Sequence, residues 1–215
     1  MKKILRLFLL LPGFGFVATA HALTFTFSPT PSDLGDLDHH NATTWGIATA
    51  GIPAGQVITG AKLKINKLWD WQVESNDALF IRLLDTAAVG VKTFVDNTND
   101  NVISDFFSGQ GILLTKWSDP IGGFDGRFAT NFSYTFSASQ LATLITYANN
   151  ATLPGKAAFG FGFDPDCHYY NDGVTFEITT APVPGAGTVP DAGATAALLG
   201  GGLLAVGALR HRRRG

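Results

Sequence analysis

Cysteine is nearly absent from this chain: Cys167 is the only one in 215 residues. No intrachain disulfide can form, so the fold rests on packing and on any ion it binds. Glutamate is almost as scarce, with Glu74 and Glu177 standing against fifteen aspartates. Glycoside hydrolysis needs two carboxylates at a defined separation, and no pair here is singled out by its spacing. Gly-x-Ser-x-Gly and His-Glu-x-x-His do not occur, which removes the common serine- and zinc-hydrolase patterns. Cys-x-x-Cys and His-x-His are missing too. A zinc reading would have to use His39, His40, His168 and Cys167, and adjacent histidines point apart in an extended chain. Long apolar runs are confined to the two ends.

The first end reads "MKKILRLFLLLPGFGFVATAHALTF". Lys2, Lys3 and Arg6 precede an apolar stretch from Leu7 to Val17, and Ala20-His21-Ala22 fits the small-x-small cleavage pattern. Residues 1–22 are therefore expected to be a signal peptide removed by signal peptidase. At the other end, 194–209 carries no charge, and as a helix it would span about 24 Å at 1.5 Å per residue. Bilayer thinning and snorkelling arginines close the gap to a ~30 Å hydrocarbon core. Arg210, Arg212, Arg213 and Arg214 then form a stop-transfer cluster held in the cytoplasm.

Just before that stretch stand Val189, Pro190, Asp191, Ala192 and Gly193. Short motif, apolar segment and basic cluster in this order resemble the PEP-CTERM class of sorting tails, in the variant built on Val-Pro-Asp-Ser-Gly. Ala192 replaces the usual Ser, and Pro-Glu-Pro is lacking. The resemblance implies an exosortase-type membrane protease as processing partner, an anchored precursor, and a mature form at the cell surface or in the extracellular matrix.

Between the ends the balance of charge shifts. Residues 23–188 hold eight Lys and Arg against sixteen Asp and Glu, a net of −8. Such acidity argues against nucleic acid as a partner and suits divalent cations. About 165 residues fill one domain. Nine short segments alternate or run apolar between turn residues: 23–28, 43–50, 60–71, 78–85, 90–97, 111–117, 131–137, 156–164 and 173–180. In the third, Leu63, Ile65 and Trp69 are expected to face one way, with Lys62, Lys64 and Asn66 facing the other. Only 137–150 has helical spacing, with Leu141, Leu144, Ile145 and Ala148 on one side and Ser137 or Ser139 as cap. The expectation is an all-β fold over 23–180, an antiparallel β-sandwich or jelly roll with one short inserted helix. A Pro/Gly linker, 181–188, follows.

Two segments concentrate polar chemistry. "SDLGDLDHHN" (32–41) follows the first strand, and "FDPDCHYYNDGV" (163–174) precedes the last. First and last strands of a jelly roll lie side by side, so these loops are expected to meet at one rim. Carboxylates converging there would suit Ca²⁺, which takes six to eight oxygen ligands. Asp38, Asp164, Asp166 and Asp172 are the expected ligands, Asp164 and Asp166 sharing one side of an extended chain. Asn171-Asp172-Gly173 also reads as a plain hairpin turn. "FGFGF" (159–163) reads as close strand packing rather than a phosphate loop, because no helix follows it. Trp45, Trp69, Trp71 and Trp117 either fill the core or stack on sugar rings.

These readings favour a non-enzymatic exported protein of the cell surface or polysaccharide matrix, with structural calcium. The alternative is a carbohydrate-binding module acting on exopolysaccharide, and a secreted hydrolase ranks behind both. Tryptophans all buried would support the first; an exposed aromatic row beside a groove would support the second.

Overall fold

The computed structural model describes residues 21–48, 55–74, 77–85, 87–96, 103–123, 126–150 and 158–183. The expected signal peptide, sorting motif, transmembrane stretch and arginine cluster lie outside them, apart from the His21-Ala22 end of the signal segment. Residues 22–183 form one compact unit.

Among the described residues, nine strands and one helix run in chain order: β1 Leu23–Phe27, β2 Asn41–Ile47, β3 Gln56–Leu68, β4 Leu79–Leu84, β5 Gly90–Val95, β6 Ile112–Trp117, β7 Thr130–Thr135, α1 Ala138–Asn150, β8 Phe159–Pro165 and β9 Gly173–Pro182. They build two antiparallel sheets, ordered β1-β9-β3-β7 and β5-β2-β8-β4-β6. This is the expected β-sandwich, and β1 indeed pairs with β9, Phe27 opposite Phe176. Each apolar segment became a strand because alternation puts one face of every strand on the core. β9 continues through Ala181 and Pro182, which pair with Val57 and Gln56, two residues into the stretch read as linker.

Phenylalanine fills the space between the sheets. Phe161 meets Phe176 at 4.8 Å between ring centroids and Trp45 at 5.8 Å. Phe159, Phe163, Leu63, Ile65, Leu79, Ile81 and Leu83 are fully buried around them. Burying such a side chain contributes roughly 1.5–3 kcal/mol relative to leaving it exposed, enough to replace the missing disulfides. α1 packs against β3 and β8, with Leu144 fully buried. Ser137 is its cap: Ser137 Oγ accepts the Gln140 N–H, and Gln140 Oε1 accepts the Ser137 N–H, a reciprocal capping box.

Trp69 departs from the expected alternation. A bulge after Ile65 includes Lys67 at φ 46° and brings Leu68, not Trp69, into the core. Trp69 instead pairs its backbone with Tyr170. The glycines of β8 have a steric purpose. A Cβ on Gly160 would meet the Trp45 carbonyl at 2.9 Å, and one on Gly162 would meet the Phe107 ring at 2.7 Å. Residues 103–110 therefore lie tightly over the outer face of the five-stranded sheet, with Phe107, Leu84, Ala87 and Ala42 as a small second core.

Candidate metal centre and aromatic cleft

The two polar loops meet through their backbones. Leu37 and Tyr169 exchange both hydrogen bonds, and Val174 N–H donates to the Ser32 carbonyl at 2.7 Å. Asn171 Nδ2 donates to the Asp33 carbonyl at 2.9 Å. The carboxylates of these loops scatter. Asp38 accepts the His40 N–H and lies 3.2 Å from His39 Nδ1, closing its own turn. Asp36 lies 3.1 Å from His168 Nε2. Asp172 is more than half exposed at the turn into β9, its carboxylate 2.6 Å from Lys67 Nζ. Gly173 N–H closes that turn on Asn171 Oδ1. His39 and His40 do not point apart: their chain is a turn, not a strand, and the rings meet edge-on with Nε2 atoms 3.1 Å apart.

Asp164 and Asp166 share one side of β8, as alternation requires. Phe159, Phe161 and Phe163 take the core side, so both carboxylates face outward beneath the 103–107 segment. That cover seals them: Asp164 is fully buried and Asp166 is 4% exposed. Each has one oxygen anchored by a backbone amide. Phe106 N–H donates to Asp164 Oδ2 at 2.7 Å, and Ser104 N–H to Asp166 Oδ1 at 3.3 Å. Asp164 Oδ1 and Asp166 Oδ2 are buried without a hydrogen-bond partner.

Two further acids press on this pair. Asp96, at the end of β5, is 6% exposed and donates its N–H to the His40 carbonyl. Asp105, from the covering segment, takes Arg82 Nε at 2.7 Å. Burial first, then Asp96, Asp166 and Asp105, raises Asp164 to about 7. Asp166 rises to about 6, again mainly by burial, with Lys116 opposing the shift. A carboxyl that holds its proton to near-neutral pH is one whose charge has no adequate partner.

A cleft of about 290 Å³ opens near the same end of the sandwich, lined by His39, Asp70, Trp71, Gln72, Glu74, Cys167 and His168. Trp71 is 52% exposed at its lip. The Trp71 ring lies within 7° of parallel to Tyr170, 6.4 Å away, and Tyr170 stacks on Trp69 at 4.5 Å and on His168 at 4.6 Å. Trp45 is buried and Trp117 partly so, edge-on to Tyr169. The tryptophans thus divide between core and surface. Ile121, Val73 and Phe128 are exposed on the adjoining loops, where Gly122 packs on the Gln72 and Val73 backbone.

Sequence reasoning missed Asp96, Asp105, Asp70 and Asp77 as members of acidic sites. Asp96 opens the run "DNTNDN", an acid- and amide-rich stretch that was a legible signal. Asp70 sits between Trp69 and Trp71, an unusual place for a charge in a strand. Asp105 carried no signal of its own.

An acidic β-sandwich stapled by no disulfide is the class of protein these features define. Residues 188–213 match the VPDSG-CTERM motif, the C-terminal sorting tail of exosortase-type substrates. The motif implies an exported, membrane-anchored precursor that an exosortase, a membrane protease, processes. No curated protein matches the chain.

Proposed function

We propose that the mature domain is a non-enzymatic module of the cell surface or extracellular polysaccharide matrix, stabilised by Ca²⁺ at Asp164 and Asp166. The observation that carries this reading is the pair of buried carboxylate oxygens without partners, Asp164 Oδ1 and Asp166 Oδ2. Asp96 and Asp105 are close enough to add charge, and backbone carbonyls would complete a six- to eight-oxygen shell. Asp38 and Asp172, engaged with His39 and Lys67, are not included. The seal over Asp164 suits an ion and leaves no room for a polymer substrate.

Thermal melts in EDTA and then in excess Ca²⁺ test the proposal. Linkage predicts about 2.7 kcal/mol of added stability at a hundredfold excess over Kd. Asp166→Asn removes one like charge, so it should stabilise the EDTA form and abolish the calcium response. A calcium response that survives in Asp166→Asn refutes the assignment.

A second reading has its own observation. Trp71, exposed and nearly parallel to Tyr170 beside the cleft, supports carbohydrate binding, since flat aromatic faces stack on sugar rings. Pull-down on the producing cell's exopolysaccharide should then be lost in Trp71→Ala with the melting temperature unchanged. Equal retention of both proteins removes this reading.

A further inference from the structure

Beneath Trp71 the cleft floor repeats the arrangement seen at Asp164 and Asp166. Asp70 is 1% exposed and Asp77 is 3% exposed. Each again has one oxygen tied to an amide: Trp71 N–H donates to Asp70 Oδ1 at 2.5 Å, and Glu74 N–H to Asp77 Oδ2 at 2.5 Å. The other oxygens, Asp70 Oδ2 and Asp77 Oδ1, are buried with no well-formed hydrogen bond, the Cys167 thiol being the one donor beside them. So is the hydroxyl of Tyr169, which is fully buried and comes from a different loop. Burial and then the neighbouring Asp77, Cys167 and Asp70 push that phenol far above its ordinary value.

Among the described residues, no Lys or Arg is a leading influence on Asp70 or Asp77. Asp119, 2% exposed, is turned to the backbone, accepting the N–H groups of Asp70 and Ile121. Ligand atoms of Asp70, Asp77 and Cys167 all lie within 4.8 Å of one another. The Cys167 thiol has a single weakly donated proton, too little for two carboxylates. Burial and the adjacent carboxylates push the thiol well up, keeping it protonated. Two orphan carboxylate oxygens on side chains this close, beside a cleft that opens to solvent at Asp70, match a hard cation. At 2.3–2.6 Å from each donor, one Ca²⁺ spans oxygens up to about 5 Å apart.

We propose that Asp70 and Asp77 form a second divalent-cation centre, selective for an oxygen-preferring ion of the Ca²⁺ class. It is separate from the Asp164–Asp166 site and holds whether or not that site binds. Its position has a consequence for the cleft. Asp70 takes the Trp71 amide, and Gly123 N–H donates to the carbonyls of both Asp70 and Trp71. An ion on Asp70 and Asp77 therefore braces the loop that presents Trp71. The Asp38, His39 and His40 group is equally compact, but its atoms are half exposed and satisfy one another.

Titration of the exported domain with Tb³⁺, read by luminescence sensitised through Trp and Tyr and competed by Ca²⁺, tests the centre. Wild type should bind two ions, Asp77→Asn one, and Asp166→Asn one. Asp77→Asn should lose most of the sensitised signal, because Trp71 borders its site. If the Asp164–Asp166 reading fails, wild type binds one ion and only Asp77→Asn loses it. Asp70→Asn replaces Asp77→Asn should the latter not fold. The proposal is overturned if these variants bind as many ions as wild type. It is equally overturned if the site prefers Co²⁺, with a thiolate charge-transfer band that Cys167→Ser removes, since that marks a soft-metal centre.

Discussion

The Phe107 ring rests directly on Gly162, so close that a Cβ on the glycine would stand 2.7 Å from Cδ2. This contact seats the 103–107 segment, whose amides at Ser104 and Phe106 hold Asp166 and Asp164. Gly162→Ala should displace the ring and loosen the cover, costing about 1–3 kcal/mol as overpacking does. Urea melts measure the loss. Calcium affinity should fall with it, whereas an exposed substitution such as Thr24→Ala should change neither.

Stability should depend on pH in an unusual direction. The folded values of Asp164 and Asp166, about 7 and about 6, lie above the ordinary 3.8. Between those limits the folded state binds more protons than the unfolded one, so stability falls as pH rises. The contribution is complete below about pH 4 and gone above about pH 7. In EDTA, urea midpoints should therefore decline from pH 5 to pH 8. Saturating Ca²⁺ replaces the protons, so the decline should flatten or reverse. A midpoint that rises with pH in EDTA would show that these carboxyls are ionised in comfort.

Arg82 is the countercharge to Asp105. Its Nε holds Asp105 at 2.7 Å, with both side chains 12% exposed, and its guanidinium also donates to the Gln110 carbonyl at 2.9 Å. Arg82→Met leaves Asp105 uncompensated beside Asp164 and Asp166, which costs about 3–5 kcal/mol by analogy with broken buried pairs. The deficit should shrink in Ca²⁺ more than the wild-type midpoint moves. An equal shift in both proteins would separate Arg82 from the ion site.

Ser137→Ala removes one half of the capping box of α1 and should cost about 0.5–2 kcal/mol. Since Leu144 anchors the helix against the core, the loss should appear as a lower melting temperature with an unchanged circular-dichroism spectrum at 25 °C. Spectra that lose helix at that temperature would mean the cap, not the core contact, holds α1.

Mass spectrometry of the mature protein checks the export pathway. The expected N-terminus is Leu23, and the expected C-terminus falls within or before the motif at 189–193. An intact chain with residues 1–22 and 194–215 still attached would mean that neither processing step occurs.

Much of the architecture could be read without coordinates because strand alternation is a local property. "LTFTF" or "FGFGF" has a core face wherever it is placed, since period 2 and the burial of phenylalanine leave no other choice. The C-terminal sorting tail was legible for the same reason: motif order is a property of neighbours in the chain. The side that Asp164 and Asp166 share followed from their spacing alone.

Which acids share a pocket was a different kind of question. Asp96, Asp105 and Asp164 come from three segments brought together by the β5-β2-β8 register and by Phe107 seated on Gly162. Asp70 and Asp77 meet Cys167 only because Trp69 pairs with Tyr170 after the bulge at Lys67. An aspartate in a turn looks alike in sequence whether water solvates it, as at Asp172, or a neighbouring loop seals it, as at Asp77. Chain-local chemistry therefore determined the strands and the sorting tail, while desolvation, a property of distant surfaces closing on one another, decided which acids are sealed together.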